Sequence, residues 1–241
     1  MQQSSPRIVW VTGASSGIGQ ALGWEFASHG DHVILSARTE SSLTDLHTKL
    51  ENTDRRSRVL LCDVRDEQSV SLAAREILNV HGRLDILMNN AGITVFKEFL
   101  NTSVQEFDDI LATNLRGVFL TTRSVLPSMV ERGDGLIMNV VSYAAKATYT
   151  DSSVYSATKA GVASMMEGLR AEVRRKGIKI VNVFPGAVRT PIWNQKVTDR
   201  YGDQMMSPAD VARTIYDVSC QSRSLMVEEI TIRPQGGDLE A

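Results

Sequence analysis

The stretch Ile8-Val9-Trp10-Val11-Thr12-Gly13-Ala14-Ser15-Ser16-Gly17-Ile18-Gly19 decides the reading of this chain. A short apolar run, the composition of a buried strand, passes without a break into a loop of glycines and small hydroxyl residues. A helix-patterned segment, about 17–29, follows at once. A pyrophosphate at such a helix start meets unpaired N–H groups and the positive end of the helix dipole. Gly13, Gly17 and Gly19 let the backbone turn tightly and approach the phosphates, with Ser15, Ser16 and Ile18 between them. Taken alone, a glycine loop is equally a mere turn. Its place after a strand and before a helix makes it a candidate dinucleotide cradle. No Gly-Lys-Ser/Thr follows, so it is not the phosphate loop of a nucleotide triphosphatase.

Outward from this point the same alternation repeats. Further apolar runs at Val33–Leu35, Val59–Leu61, Leu84–Leu87, Leu136–Val141, Ile178–Phe184 and Ile230–Ile232 suit strands buried on both faces. Between them lie helix candidates at about 40–51, 66–80, 103–130, 152–176 and 207–220. Asp66, Thr102 or Ser103 ahead of Glu106, and Ser207-Pro208 supply helix-start signals. Such βαβ units with right-handed crossovers give an α/β, doubly wound, mostly parallel sheet of seven strands, a Rossmann fold. No low-complexity linker divides it, so residues 1–241 read as one dinucleotide-binding and catalytic domain. One irregular stretch, about 185–206 with Gly186, Pro191, Trp193 and Gly202, reads as a substrate loop.

Composition narrows the classes. A net charge of -2 gives no pull toward nucleic acid or an anionic membrane. No apolar run approaches the ~20 residues of a membrane span. Cys62 and Cys220 are too few and too far apart for a disulfide framework or metal cluster, and both are expected to be buried thiols. His29, His32, His47 and His81 have no metal-like spacing. The opening Met1-Gln2-Gln3-Ser4-Ser5-Pro6-Arg7 carries no signal-peptide pattern, so a cytoplasmic location is expected.

The end of the second strand bears on the cofactor. An NAD site usually has Asp or Glu there to accept from the ribose 2′-hydroxyl. Here the residues are Ser36-Ala37-Arg38-Thr39. Arg38 suits a 2′-phosphate, Ser36 and Thr39 add hydroxyl donors, and no carboxylate repels the phosphate. The reading is NADP(H) in preference to NAD(H), which stays open as an alternative; a plainly solvated Arg38 is the other explanation.

Tyr155 and Lys159 stand four apart, on one face of a helix. A tyrosine is a poor base at neutral pH. A unit positive charge at about 4 Å favours its phenolate by about 4 kcal/mol at an effective dielectric of about 20, an upper-end figure. Taken alone the spacing favours a mere surface pair, but Ser142 closes the fifth strand, at the carboxyl edge where ligands bind in such sheets. Asn114 is a polar residue in an otherwise apolar helical stretch, either functional or a helix-kinking asparagine.

These residues resemble the short-chain dehydrogenase/reductase superfamily, of the compact single-domain type. The likeness runs from Val11 to about Thr190. It rests on Thr12-Gly13-x-x-x-Gly17-Ile18-Gly19, Cys62-Asp63-Val64, Asn89-Asn90-Ala91-Gly92, Asn114, Ser142, Tyr155-x-x-x-Lys159, and Pro185-Gly186 with Thr190. The resemblance implies interconversion of a carbonyl and an alcohol, with Tyr155 as acid–base and Ser142 on the substrate oxygen. It implies that Lys159 lowers the tyrosine pKa and holds the nicotinamide ribose, and that Asn114 holds a water. It implies Asp63, with Val64 beside it, at the adenine. Asn90, Ala91 and Gly92 fall along the adenosine ribose, and Pro185, Gly186, Val188 and Thr190 at the carboxamide.

Two positions depart from the pattern. Val141 stands where many members have a second serine, and Ser15-Ser16 where some NADP(H) binders have a basic residue. Arg38 therefore carries the cofactor preference. Phe96, Tyr143, Tyr149, Ile192 and Trp193 could line an apolar substrate cleft or serve as anchors. The expected partners are a small carbonyl or alcohol and a second copy of the chain in a homodimer or homotetramer; Met165, Met166 and Leu169 read first as core, and the resemblance implies, as a second option, a seam through the 103–130 and 152–176 helices. A dinucleotide-binding regulatory protein without turnover and an NAD-dependent alcohol dehydrogenase are the competing readings.

Overall fold

The computed structural model describes residues 6–53 and 55–239. The first five residues, part of the amino-terminal reading, and the last two of the 1–241 domain lie outside it. The sheet has seven strands in the order β3-β2-β1-β4-β5-β6-β7. They are β1 (Ile8–Thr12), β2 (His32–Ala37), β3 (Ser57–Leu61), β4 (Ile86–Asn89), β5 (Gly135–Val140), β6 (Ile178–Pro185) and β7 (Glu229–Ile232). Every neighbouring pair is parallel, so the sheet is wholly rather than mostly parallel.

Alternate strand residues feed two cores. Val9, Val11, Val33 and Leu35 pack with α1 (Gly17–Ser28), α2 (Ser41–Glu51) and α8 (Pro208–Ser219). Ile8, Trp10, Ile34 and Ile137 face the other way, onto α3 (Glu67–His81), α5 (Gly117–Arg132) and α6 (Ser153–Val173). With both faces covered, the strands need apolar residues at every position, which is why they read as continuous runs. The strand order reverses at β1 and β4, and a crevice opens beyond their carboxyl ends, where such sheets bind ligands.

The expected 103–130 helix is divided. Ser103 and Glu106 form a capping box that starts α4 (Val104–Leu111), a π-helical turn spans Ala112–Arg116, and α5 follows. Hydrophobic pattern alone carries no sign of such a register change. The 185–206 stretch is not wholly irregular. Asn194 accepts from the Val197 N–H at 2.9 Å and starts the short helix α7 (Gln195–Tyr201). Among the described residues no helix is long and apolar enough to cross a membrane.

Candidate active site

A cleft of about 930 Å³ runs along the crevice. At one end the glycine loop forms a close backbone cradle. Gly13 has φ +64°, and a β-carbon there would stand 2.8 Å from the Ala91 Cα. Gly17 has φ +56°, and its β-carbon would meet the Thr190 side chain at 3.0 Å. A β-carbon on Gly19 would overlap the Gly13 carbonyl oxygen and the Asn90 amide. Asn90 stitches the loop from the β4 side, its Nδ2 donating to the Thr12 and Gly13 carbonyls at 3.0 and 3.1 Å. Ser16, at the N-cap of α1, makes no side-chain cap hydrogen bond, so the helix start keeps donors for an anion.

Ala37, Arg38, Thr39 and Ser42 line the far end of the cleft. Ser36 does not, which corrects its expected role as a phosphate donor. It is buried, receives the Trp10 indole N–H at 2.9 Å and donates to the Val11 carbonyl at 3.3 Å. Strand alternation turns its side chain into the sheet's other face. Asp63 and Val64 line the cleft. Both Asp63 oxygens are engaged by Arg65, with the Nη2 contact at 2.8 Å, and the Arg65 hydrogen bond holds this carboxyl below its ordinary range. An adenine donor would have to share Asp63 with Arg65.

At the centre lie Ser142, Tyr155 and Lys159. Ser142 ends β5's path, caps a short 3-10 turn at Tyr143–Ala145, and accepts from the Ala144 N–H at 3.1 Å. Burial raises the Tyr155 phenol, and the neighbouring Ser142 opposes that rise. Lys159 is buried one turn further along α6, and burial pulls its ammonium down to about 8. Its Nζ donates to the Val140 carbonyl at 2.9 Å and lies 5.7 Å from the Tyr155 ring centroid. With Lys159 alone the phenol stays raised; the expectation is of a lysine acting together with an oxidised nicotinamide ring. The ammonium is turned to a backbone carbonyl, and desolvation of the phenol dominates.

Asn114 lies behind the cleft wall, in the π-helical turn. Its Oδ1 accepts from the Ile93 N–H at 2.8 Å, and its Nδ2 donates to the Ile93 carbonyl at 2.9 Å and Thr158 Oγ1 at 3.2 Å. A β-carbon on Gly92 would stand 3.4 Å from both Asn114 Oδ1 and Lys159 Nζ. The missing side chain therefore keeps open the space between these two groups. Pro185, Gly186, Val188 and Thr190 line the wall beyond Tyr155.

The order of these parts is that of a known family. Residues 7–201 match the short chain dehydrogenase family. The sepiapterin reductase of Chlorobaculum tepidum is 32% identical over 97% of this chain and 98% of its own. A metagenomic short-chain oxidoreductase solved with NADP is 28% identical, with a TM-score of 0.84 and coverage of 95% of this chain and 97% of its own. A serine dehydrogenase complexed with NADP+ is 27% identical, with a TM-score of 0.89 and 97% of each chain covered. The chain belongs to the short-chain dehydrogenases. It is an oxidoreductase.

In this short-chain dehydrogenase the cleft is also lined by Phe96, Tyr143, Tyr149, Ile192 and Trp193. Phe96 and Trp193 stack with centroids 5.0 Å apart and planes at 6°, joining the β4–α4 and β6–α7 connections. The Trp193 indole donates to the Val188 carbonyl at 2.9 Å. Sequence reasoning missed Ser42, Arg65, Thr94 and Asp238. Ser42 and Arg65 lie within a few residues of predicted positions, so proximity was their only signal. Thr94 Oγ1 is buried without a hydrogen-bond partner and lines the cleft. Asp238 arrives from the carboxyl-terminal segment, paired with Arg233 at 2.8 Å, and no motif marks it. Cys62 is buried, its thiol pushed up to about 11 by desolvation, whereas Cys220 is exposed at the end of α8, which corrects the expectation that both are buried.

Proposed function

We propose that this chain interconverts a small carbonyl compound and its alcohol by hydride transfer, prefers NADP(H), and uses Tyr155 as its acid–base. The carrying observation is that Ser142, Tyr155 and buried Lys159 line the same cleft as the glycine cradle. The cradle residues fit a dinucleotide: Gly13, Gly17 and Gly19 have no room for a side chain, and Gly13 and Gly17 line the cleft with bare backbone. A nicotinamide dinucleotide bound there supplies or takes the hydride.

Ser142 Oγ holds the substrate oxygen, and Tyr155 gives it a proton in reduction or takes one in oxidation. Lys159 holds a positive charge beneath the phenol and reaches the dinucleotide ribose. A water between Asn114 and Lys159, beside Gly92, reconnects this pair to solvent. Asn90, Ala91 and Gly92 run along the adenosine ribose, Asp63 and Val64 meet the adenine, and Pro185, Gly186, Val188 and Thr190 hold the carboxamide. Arg38, with Thr39 and Ser42, takes the 2′-phosphate. Supporting this, no Asp or Glu stands among Ser36-Ala37-Arg38-Thr39 at the end of β2, and two similar solved structures carry NADP or NADP+.

The reading includes a cytoplasmic homodimer or homotetramer. Exposed Val104, Phe107 and Phe119 on α4 and α5 support self-association, which sedimentation would report.

The deciding experiment screens aldehydes, ketones, diketones and hydroxy acids with NADPH and NADH, beside Tyr155→Phe. Carbonyl-dependent NADPH oxidation that disappears in Tyr155→Phe, with NADPH binding retained, is expected. Turnover surviving in that variant sinks Tyr155 as the acid–base. Equal use of NADH sinks the preference.

A further inference from the structure

Three asparagines stand side by side across the sheet. Asn89 pairs in register with Asn139, and Asn139 with Asn182, on β4, β5 and β6. All are buried. Their side chains form a directed row. Thr121 Oγ1 on α5 donates to Asn89 Oδ1 at 2.7 Å. Asn89 Nδ2 donates to Asn139 Oδ1 at 3.0 Å, and Asn139 Nδ2 to Asn182 Oδ1 at 3.0 Å. Asn182 Nδ2 then leaves the sheet and donates to the Ala163 carbonyl of α6 at 3.2 Å.

Amides inside an otherwise apolar sheet are costly unless paired, and a row paired end to end fixes its members mutually. The place where this row ends matters. Tyr155, Lys159 and Ala163 follow one another at four-residue steps, along one face of α6. The strand residue after Asn139 is Val140, whose carbonyl receives Lys159 Nζ. Two ties therefore join the end of β5 and β6 to the same helix face, one through Lys159 itself and one a turn behind it.

We propose that Asn182, held by Asn139, is a positioning residue that sets α6 against the sheet and thereby holds Tyr155 and Lys159 at Ser142. The consequence for turnover rests on the function proposed above; the anchoring of α6 does not.

The test compares Asn182→Ala with Ile77→Ala, a cavity in α3 outside the row. Hydrogen exchange is measured across 155–163, together with kcat, its pH profile and KM for NADPH. In Asn182→Ala, exchange there is expected to run at least about tenfold faster than in Ile77→Ala. The kcat should fall at least about tenfold with KM for NADPH within about threefold, and the alkaline limb of the profile should move. Exchange no faster than in Ile77→Ala overturns the anchoring. An unchanged kcat and pH profile beside faster exchange overturns the positioning role. Should Asn182→Ala fail to fold, Asn182→Ser carries the same comparison. If the wild type turns over no carbonyl, the function above fails, while exchange still decides the anchoring.

Discussion

The two ends of the cleft are built from different material. The dinucleotide end is glycine backbone pressed close against its neighbours, both main chain and side chain. Gly13 lies on Ala91, Gly19 beneath the Gly13 carbonyl, and Gly17 against Thr190. The aromatic end, where the proposed function places the substrate, is made of side chains from separate connections, with Phe96 stacked on Trp193, and Tyr143 and Tyr149 from the segment after β5. Main-chain contact leaves no residue that can be exchanged without moving the loop. Side-chain contact can be exchanged piece by piece. One end is thus fixed by excluded volume, and the other can change ligand without disturbing the sheet.

Lys159 is where the ends meet, so its removal tests the division most severely. Lys159→Ala should lower kcat/KM by about 10²–10⁴-fold and also weaken NADPH binding, measured by steady-state kinetics and fluorescence titration. Turnover within tenfold of the wild type would mean that the two ends do not share this residue. Gly19→Ala puts a β-carbon into the Gly13 carbonyl. It should destabilise the fold by about 1–3 kcal/mol and weaken NADPH, leaving KM for the carbonyl unchanged. Arg38→Ala should raise Kd for NADPH about 10–100-fold, the loss of a charge-assisted contact of about 1.5–3 kcal/mol, and leave NADH within twofold. Trp193→Ala removes one stack, worth about 0.5–1.5 kcal/mol, so KM for the carbonyl should rise by about tenfold at most with Kd for NADPH unmoved.

The smallest effect lies beneath the dinucleotide end. His32 and His81 pack edge-to-face at 4.6 Å, and burial with neighbouring positive charge holds both below the ordinary histidine range. The fold therefore prefers neutral rings. This contribution is full above the unfolded pKa of about 6.5 and declines as pH falls through it. The melting temperature should drop on acidification from about pH 7.5 to about pH 5, and less so in His32→Gln. An equal drop in both proteins would remove these rings as the cause.

Much of the dinucleotide end was legible in the sequence because its determinants are local. Gly13, Gly17 and Gly19 sit within one turn of chain, and βαβ order places them at the switch point. Tyr155 and Lys159 share a helix face by spacing alone. What could not be read arises from geometry between distant segments. Ser36 looked available, yet strand alternation points it at Trp10. The spacing of Tyr155 and Lys159 did not show that the ammonium turns to the Val140 carbonyl, at 2.9 Å. Asp238 enters the cleft from a segment with no motif, and the π-helical turn at Asn114 leaves the hydrophobic pattern unchanged.

The tryptophans give this division an optical form. Trp10 lies buried under the glycine loop, tied to Ser36, and Trp193 lies at the aromatic end against Phe96. Trp24 is partly exposed, with Arg55 over its ring. With Trp24 replaced by phenylalanine, the chain carries one indole chromophore at each end of its cleft. Energy transfer from both indoles to a bound reduced nicotinamide would then report occupancy of the cleft, and a further shift in Trp193 emission with the dinucleotide already bound would report entry of the second ligand.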